Sequence, residues 1–133
     1  MNYGGKGNLV DLPKFNQQGC FELKGYDGKT YYLTQKVWET KTKYPERQFL
    51  KLNFDKIELT ITYPNEVRRS TKKRDSKILY RLFDRITIRE GITVPWPDGN
   101  PGYIAVVINE TNCIVQTIYP TPKIKKGEKL WPK

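Results

Sequence analysis

The stretch Gly102-Tyr-Ile-Ala-Val-Val-Ile-Asn-Glu-Thr-Asn-Cys-Ile-Val-Gln-Thr-Ile-Tyr119 decides how the chain folds. From Gly102 to Ile108 it is almost continuously apolar and rich in β-branched side chains. Such a run marks a strand in the middle of a sheet, covered on both faces. Asn109 to Asn112 supplies turn residues. Cys113 to Tyr119 reads as the returning strand of a hairpin, on which Thr117 and Tyr119 share one side by the two-residue period. Pro120 and Pro122 end it, because proline cannot donate to a strand ladder.

Working upstream, Gly91 to Pro101 holds three prolines and two glycines and reads as a loop. Lys77 to Ile88 has the composition of a long strand, bent or bulged, and Glu66 to Ser70 that of a short one. Lys72 to Asp75 forms a solvated turn between them. Pro45 with Glu46 opens a helix with apolar positions at Phe49, Leu50, Leu52 or Phe54, Ile57 and Ile61, a rough fit to a 3.6-residue period. Pro64-Asn65 stops it. Before it, Thr34 reads as the N-cap of a short helix running from Gln35 to about Thr42. Earlier still, Cys20 to Tyr26 and Lys29 to Thr34 alternate about Asp27-Gly28, a strong hairpin signal. Met1 to Gln18 reads as a flexible N-terminal segment, and Lys123 to Lys133 as an extended basic tail. The 133 residues suffice for one core. The expected architecture is α+β: a β-hairpin and helices, then a roughly four-stranded antiparallel sheet, in one domain over residues 19–133.

The composition narrows the chemistry. The chain has no histidine and only two cysteines, Cys20 and Cys113. Zinc–histidine sites, the Ser-His-Asp triad and the Cys-His dyad are therefore excluded. No cofactor or metal is expected. No apolar run approaches the roughly 20 residues needed to span a bilayer. Met1 to Val10 is polar and glycine-rich, without the apolar stretch of a secretory signal, so the expected location is the cytoplasm. The formal net charge is +10, which points to a polyanionic partner, with nucleic acid foremost. Residues 47–90 hold twelve basic against six acidic residues, and every arginine lies between Arg47 and Arg89. Arginine suits bidentate phosphate contact and base stacking. Solvated outer strand faces account for part of this block, but not for its confinement.

Several short strings, taken in order, resemble a known family. Leu33-Thr34-Gln-Lys-Val-Trp38-Glu39 and then Lys43-Tyr44-Pro45-Glu46 are similar to an opening in which a Leu-Thr cap precedes Trp-x-His and Arg-His-Pro-Glu. Tyr80-Arg81 matches a Tyr-Lys/Arg pair on a later strand. Ala105 to Ile108, Ile114 to Tyr119, and Lys123-Ile-Lys-Lys-Gly127 with Trp131 resemble the closing hairpin and basic tail. The family is the phage- and mobile-element-associated branch of the barnase/EndoU/colicin/RelE-like (BECR) superfamily. The resemblance covers residues 20 to 131. It implies N-terminal helices, a four-stranded antiparallel sheet, and a ribonuclease-like cleft on that sheet that acts without metal. The family's histidines are replaced here, at about Thr40 and at Tyr44, and its arginine by Lys43.

Metal-free RNA cleavage requires a base for the 2′-hydroxyl, cations for the pentavalent phosphorane and an acid for the leaving oxygen. Glu39 or Glu46 is the candidate base, although Glu46 also suits a helix start. Arg81 and Lys43 are candidate phosphate holders. Thr117 and Tyr119 complete the candidate catalytic set, with Tyr119 as proton donor or stacking surface. Tyr44, Arg68, Arg69, Lys72, Lys73, Arg74, Tyr80, Arg85 and Trp96 are the candidate nucleic-acid contacts, and the arginines from 68 to 89 are expected to form one ridge beside Tyr119. Trp96, between two prolines, either stacks on a base or folds back over the sheet. The leading reading is an RNA-binding, toxin-like ribonuclease that uses Arg, Lys, Tyr, Thr and Glu in place of histidine, with RNA preferred to DNA. The alternative is a catalytically silent basic module that binds nucleic acid or an acidic protein such as an inhibitor.

Overall fold

The computed structural model describes residues 19–43, 45–89, 91–96 and 101–132. The expected flexible segment 1–18 lies outside them, as do Tyr44 and the side chain of Glu46. The chain opens with strands β1 (Cys20–Lys24) and β2 (Thr30–Thr34), antiparallel with Cys20 opposite Thr34 and Lys24 opposite Thr30. Gly28 closes their turn at φ +83°, a conformation that favours glycine. The Asp27 carboxylate accepts from the Lys29 amide at 3.1 Å and holds the turn from inside. Thr34 then caps helix α1 (Gln35–Lys41), with the Val37 amide donating to Oγ1 at 3.2 Å.

The expected second helix is broken in two. Pro45–Leu52 winds as a tight 3-10 helix, and α2 (Phe54–Thr62) follows as an α-helix. Asn53 is the cause. Its buried amide donates to the carbonyls of Phe49 and Thr87 and accepts from the Thr87 amide, each at 2.8 Å. One side chain thus ends a helix and docks it on a strand, which is why the apolar spacing fits a single period poorly.

The main sheet has five strands rather than four: β3 (Glu66–Arg69), β4 (Ser76–Phe83), β7 (Gly102–Asn109), β8 (Val115–Thr121) and β9 (Lys129–Trp131), in the order β9-β3-β4-β7-β8. All its pairings are antiparallel. Gly102 to Asn109 sits mid-sheet between β4 and β8, as the apolar run requires. The fifth strand comes from the tail expected to be extended. Gly127 lets it return, since a Cβ there would lie 2.3 Å from the Arg69 carbonyl oxygen. The expected long strand ends at Phe83. β5 (Arg85–Arg89) leaves the sheet and pairs with β6 (Ile92–Pro95), so part of the expected loop is the second half of a hairpin.

The helices and the first hairpin cover one face of the sheet. Leu23, Leu33, Trp38, Leu50, Phe54, Ile57 and Ile61 pack there on Val67, Leu79, Ile104, Val106 and Ile118. Each such buried aliphatic or aromatic side chain contributes about 1.5–3 kcal/mol. On the other face a smaller cluster of Ile78, Tyr80 and Ala105 is packed by Tyr119 and Ile124 of the returning tail. The sheet therefore has a closed face and a partly open one.

Candidate nucleic-acid interface

The open face carries a cleft of about 340 Å3. Four segments wall it: the end of α1, the 3-10 helix, the turn between β3 and β4, and the tail after β8. They contribute Lys41, Arg47, Lys72 with Lys73, and Lys125 with Lys126, respectively. Ile78 and Val107 give it apolar surface, and Gln116, Thr117 and Tyr119 project into it from β8. Among the described residues no carboxylate lines it, and no ion pair engages its five lysines.

Local structure explains each wall. The Ser70 hydroxyl accepts from the amides of Lys72 and Lys73, at 3.2 Å each. The Ser76 amide donates to the Lys73 carbonyl at 3.1 Å, so the lysine turn is fixed at both ends. A β-bulge shapes the opposite side. Thr117 lies opposite Val107 and Val115 opposite Ile108, leaving Gln116 as the extra residue between them. The bulge lets Val115 and Ile118 both enter the core while Gln116 and Thr117 both reach the cleft. Arg47 Nη1 donates to Thr117 Oγ1 at 3.1 Å, and its guanidinium carbon lies 5.8 Å from the Tyr119 ring centroid. Lys125 Nζ lies 5.1 Å from the same centroid. The Tyr119 ring thus steadies two cations of the cleft.

Burial, with the neighbouring Tyr80 hydroxyl, raises the Tyr119 pKa above its ordinary value, against the opposing charge of Arg47. Burial also raises Tyr80, whose hydroxyl shares a hydrogen bond with Tyr119 and accepts from the Lys125 amide at 3.4 Å. Tyr119 is therefore a protonated, engaged phenol.

The structure brings together Thr117, Tyr119, Lys72 and Lys73 of the sequence candidates, with Tyr80 behind them. It does not bring Arg81. Arg81 pairs opposite Ile104 on the helix-covered face, whereas Thr117 and Tyr119 pair opposite Val107 and Ala105 on the other. Its Nη1 donates to the Tyr63 carbonyl at 2.5 Å, and its Nε is buried without a hydrogen-bond partner. Lys43 is exposed beyond α1, and Glu39 is exposed and accepts from Gln35 at 3.0 Å; neither lines the cleft.

The expected arginine ridge does not form. Arg68 shares the open face, but its Nη2 is 2.6 Å from the Glu66 carboxylate and its Nη1 donates to the Gly127 carbonyl at 3.0 Å. Arg69 points to the opposite face and pairs with Glu110 at 2.6 Å. Arg74 is exposed in the turn and does not line the cleft. Arg85 lies on the outer hairpin, with Nη2 bonded to the Thr93 carbonyl at 3.0 Å. Trp96 folds back: it is buried edge-on to Phe49 at 6.2 Å and against Gly102, where a Cβ would lie 2.1 Å from the indole. The sequence reading missed Lys41, Arg47, Lys125, Lys126 and Gln116. The available signal was the shared side of Thr117 and Tyr119. The return of the tail and the bulge, which bring the others beside it, follow from packing.

No protein-family model matches the chain, and neither a curated protein nor a solved structure does. The likeness to the BECR superfamily rests on the sequence strings alone. Among the described residues no helix is long and apolar enough to cross a membrane.

Proposed function

We propose that the protein binds RNA, with backbone phosphates held in the lysine-walled cleft. The observation that carries this is the convergence of five lysines and Arg47 from four chain segments, without a carboxylate among the described lining residues. Cations gathered this way repel one another and are stabilised by a polyanion, whose own condensed counterions are released on binding. The resemblance to RNA-cleaving proteins supports RNA as that polyanion. Binding is better supported than cleavage. The candidate base Glu39 is outside the cleft, Arg81 is on the other face, and the Thr117 and Tyr119 hydroxyls are engaged.

The test is fluorescence-anisotropy titration of a labelled RNA at several salt concentrations, with DNA of the same sequence in parallel. With about five phosphates engaged, the logarithm of the association constant should fall with the logarithm of salt at a slope of about −3.5. RNA should bind at least as tightly as DNA. Binding that ignores salt, or no binding at low salt, contradicts the proposal.

A further inference from the structure

The cleft contains more than phosphate binding requires. Its walls are cationic, yet half-buried Val107 and the edge of the nearly buried Ile78 give it apolar surface. Phosphate is strongly hydrated and gains nothing from such surface, whereas a nucleobase has a flat face that does. A volume of about 340 Å3 is also at the small end of ligand pockets, which span roughly 300–1,000 Å3. A duplex presents its bases stacked and paired, and none can enter a cleft of that size without leaving the helix.

Gln116 adds direction. The bulge aims it into the cleft, and the buried Ser76 hydroxyl donates to its Oε1 at 2.7 Å. With Oε1 anchored on Ser76 through one of its two lone pairs, the amide offers the cleft its Nε2 protons. A glutamine that reads adenine uses both atoms, donating to a ring nitrogen and accepting from the exocyclic amine. Anchoring Oε1 on Ser76 restrains the amide and disfavours that two-point contact, leaving Gln116 chiefly as a donor suited to a carbonyl. Uracil has two such carbonyls, adenine has none, and the pyrimidine is the smaller ring.

We infer that the cleft receives one unpaired pyrimidine nucleotide of an RNA strand, uracil above adenine, with the base on Val107 and the edge of Ile78 and a base carbonyl accepting from Gln116. The inference rests on the RNA-binding proposal and deepens it. Gln116 is the specificity-determining residue, and Ser76 is a positioning residue that fixes its amide.

The experiment measures the affinity of the full chain for labelled ten-nucleotide oligouridine, oligoadenosine and an RNA duplex of equal length, at one salt concentration. Oligouridine should bind about five- to tenfold tighter than oligoadenosine, and tighter than the duplex. Gln116→Leu should equalise the two single strands while leaving duplex affinity and the salt slope unchanged. Ser76→Ala, which frees the amide to turn, should narrow the ratio mainly by strengthening oligoadenosine. A merely structural role for Ser76 would instead weaken all three ligands together. Thermal melts establish that each variant is folded, and either variant alone suffices for the test. Duplex affinity equal to that of oligouridine, or a preference unaltered by the folded variants, overturns the inference and leaves phosphate binding intact. Salt-dependent binding to none of the three overturns both.

Discussion

Lys77 and Ile78 are neighbours on β4, and their side chains enter the two opposite faces of the sheet. Lys77 enters the helix-covered face and is 4% exposed. Its Nζ is 2.6 Å from the Tyr31 hydroxyl, 3.0 Å from that of Tyr26 and 3.5 Å from the Asp27 carboxylate. Both tyrosine ring centroids lie 5.0 Å from it. Ile78 enters the open face, where five lysines and Arg47 surround apolar surface. Arginines outside the cleft are engaged on either face. Arg68 and Arg69 are neutralised by Glu66 and Glu110, and Arg81 is spent on a backbone carbonyl. Charge counted along a sequence is therefore not charge offered to a partner. On the closed face Lys77 serves cohesion, whereas among the described residues no ion pair engages the five lysines of the cleft.

The largest expected effect breaks the closed side of this comparison. Lys77→Ala leaves the buried Tyr31 phenol, the half-buried Tyr26 phenol and a carboxylate without their cation and opens a cavity. It should cost on the order of 2–4 kcal/mol in denaturant unfolding, while RNA affinity of the remaining folded protein is unchanged. A loss of affinity without a loss of stability would place Lys77 in the binding site instead.

A second effect follows from pH. Burial pushes Asp27 up, but hydrogen bonds from Tyr31 and the Lys29 amide, with the charge of Lys77, outweigh it and hold the carboxyl below 3.8. Its contribution is present above that ordinary value and fades as pH falls through the lower folded value. Tyr31, Tyr80 and Tyr119 are shifted the other way, chiefly by burial. The unfolded chain then releases its phenol protons first. Their contribution is intact below the ordinary tyrosine pKa of 10.0 and is lost as pH rises beyond it. Unfolding midpoints measured across pH should be flat from about 5 to 9 and fall at both ends. In Tyr31→Phe the alkaline fall should become shallower.

Much of the fold was legible in the residues. The Asp27-Gly28 hairpin, the Thr34 cap and the buried strand from Gly102 all have local causes, and each stands where local chemistry puts it. The misses are non-local. Asn53 breaks a helix because Thr87, 34 residues away, needs hydrogen-bond partners. Lys129 to Trp131 becomes a strand because β3 has an unpaired edge. In the cleft, Thr117 and Tyr119 were found from two-residue alternation, while Gln116 escaped because a bulge suspends that period. Arg81 looked functional for its apolar neighbours, yet those neighbours reflect its place on the covered face.

The most direct test sets the cleft against the outer hairpin at equal change of charge. RNA affinity is measured for Lys72→Ala/Lys73→Ala and for Arg85→Ala/Arg89→Ala, at one low salt concentration. The lysine pair should weaken binding about tenfold and make the salt slope shallower by about 1.4. The arginine pair should leave affinity within about twofold, because only nonspecific attraction is lost. Unfolding free energies of both should stay within about 0.5 kcal/mol of the parent. Equal losses from the two pairs, or a larger loss from the arginines, would contradict a binding site in the cleft.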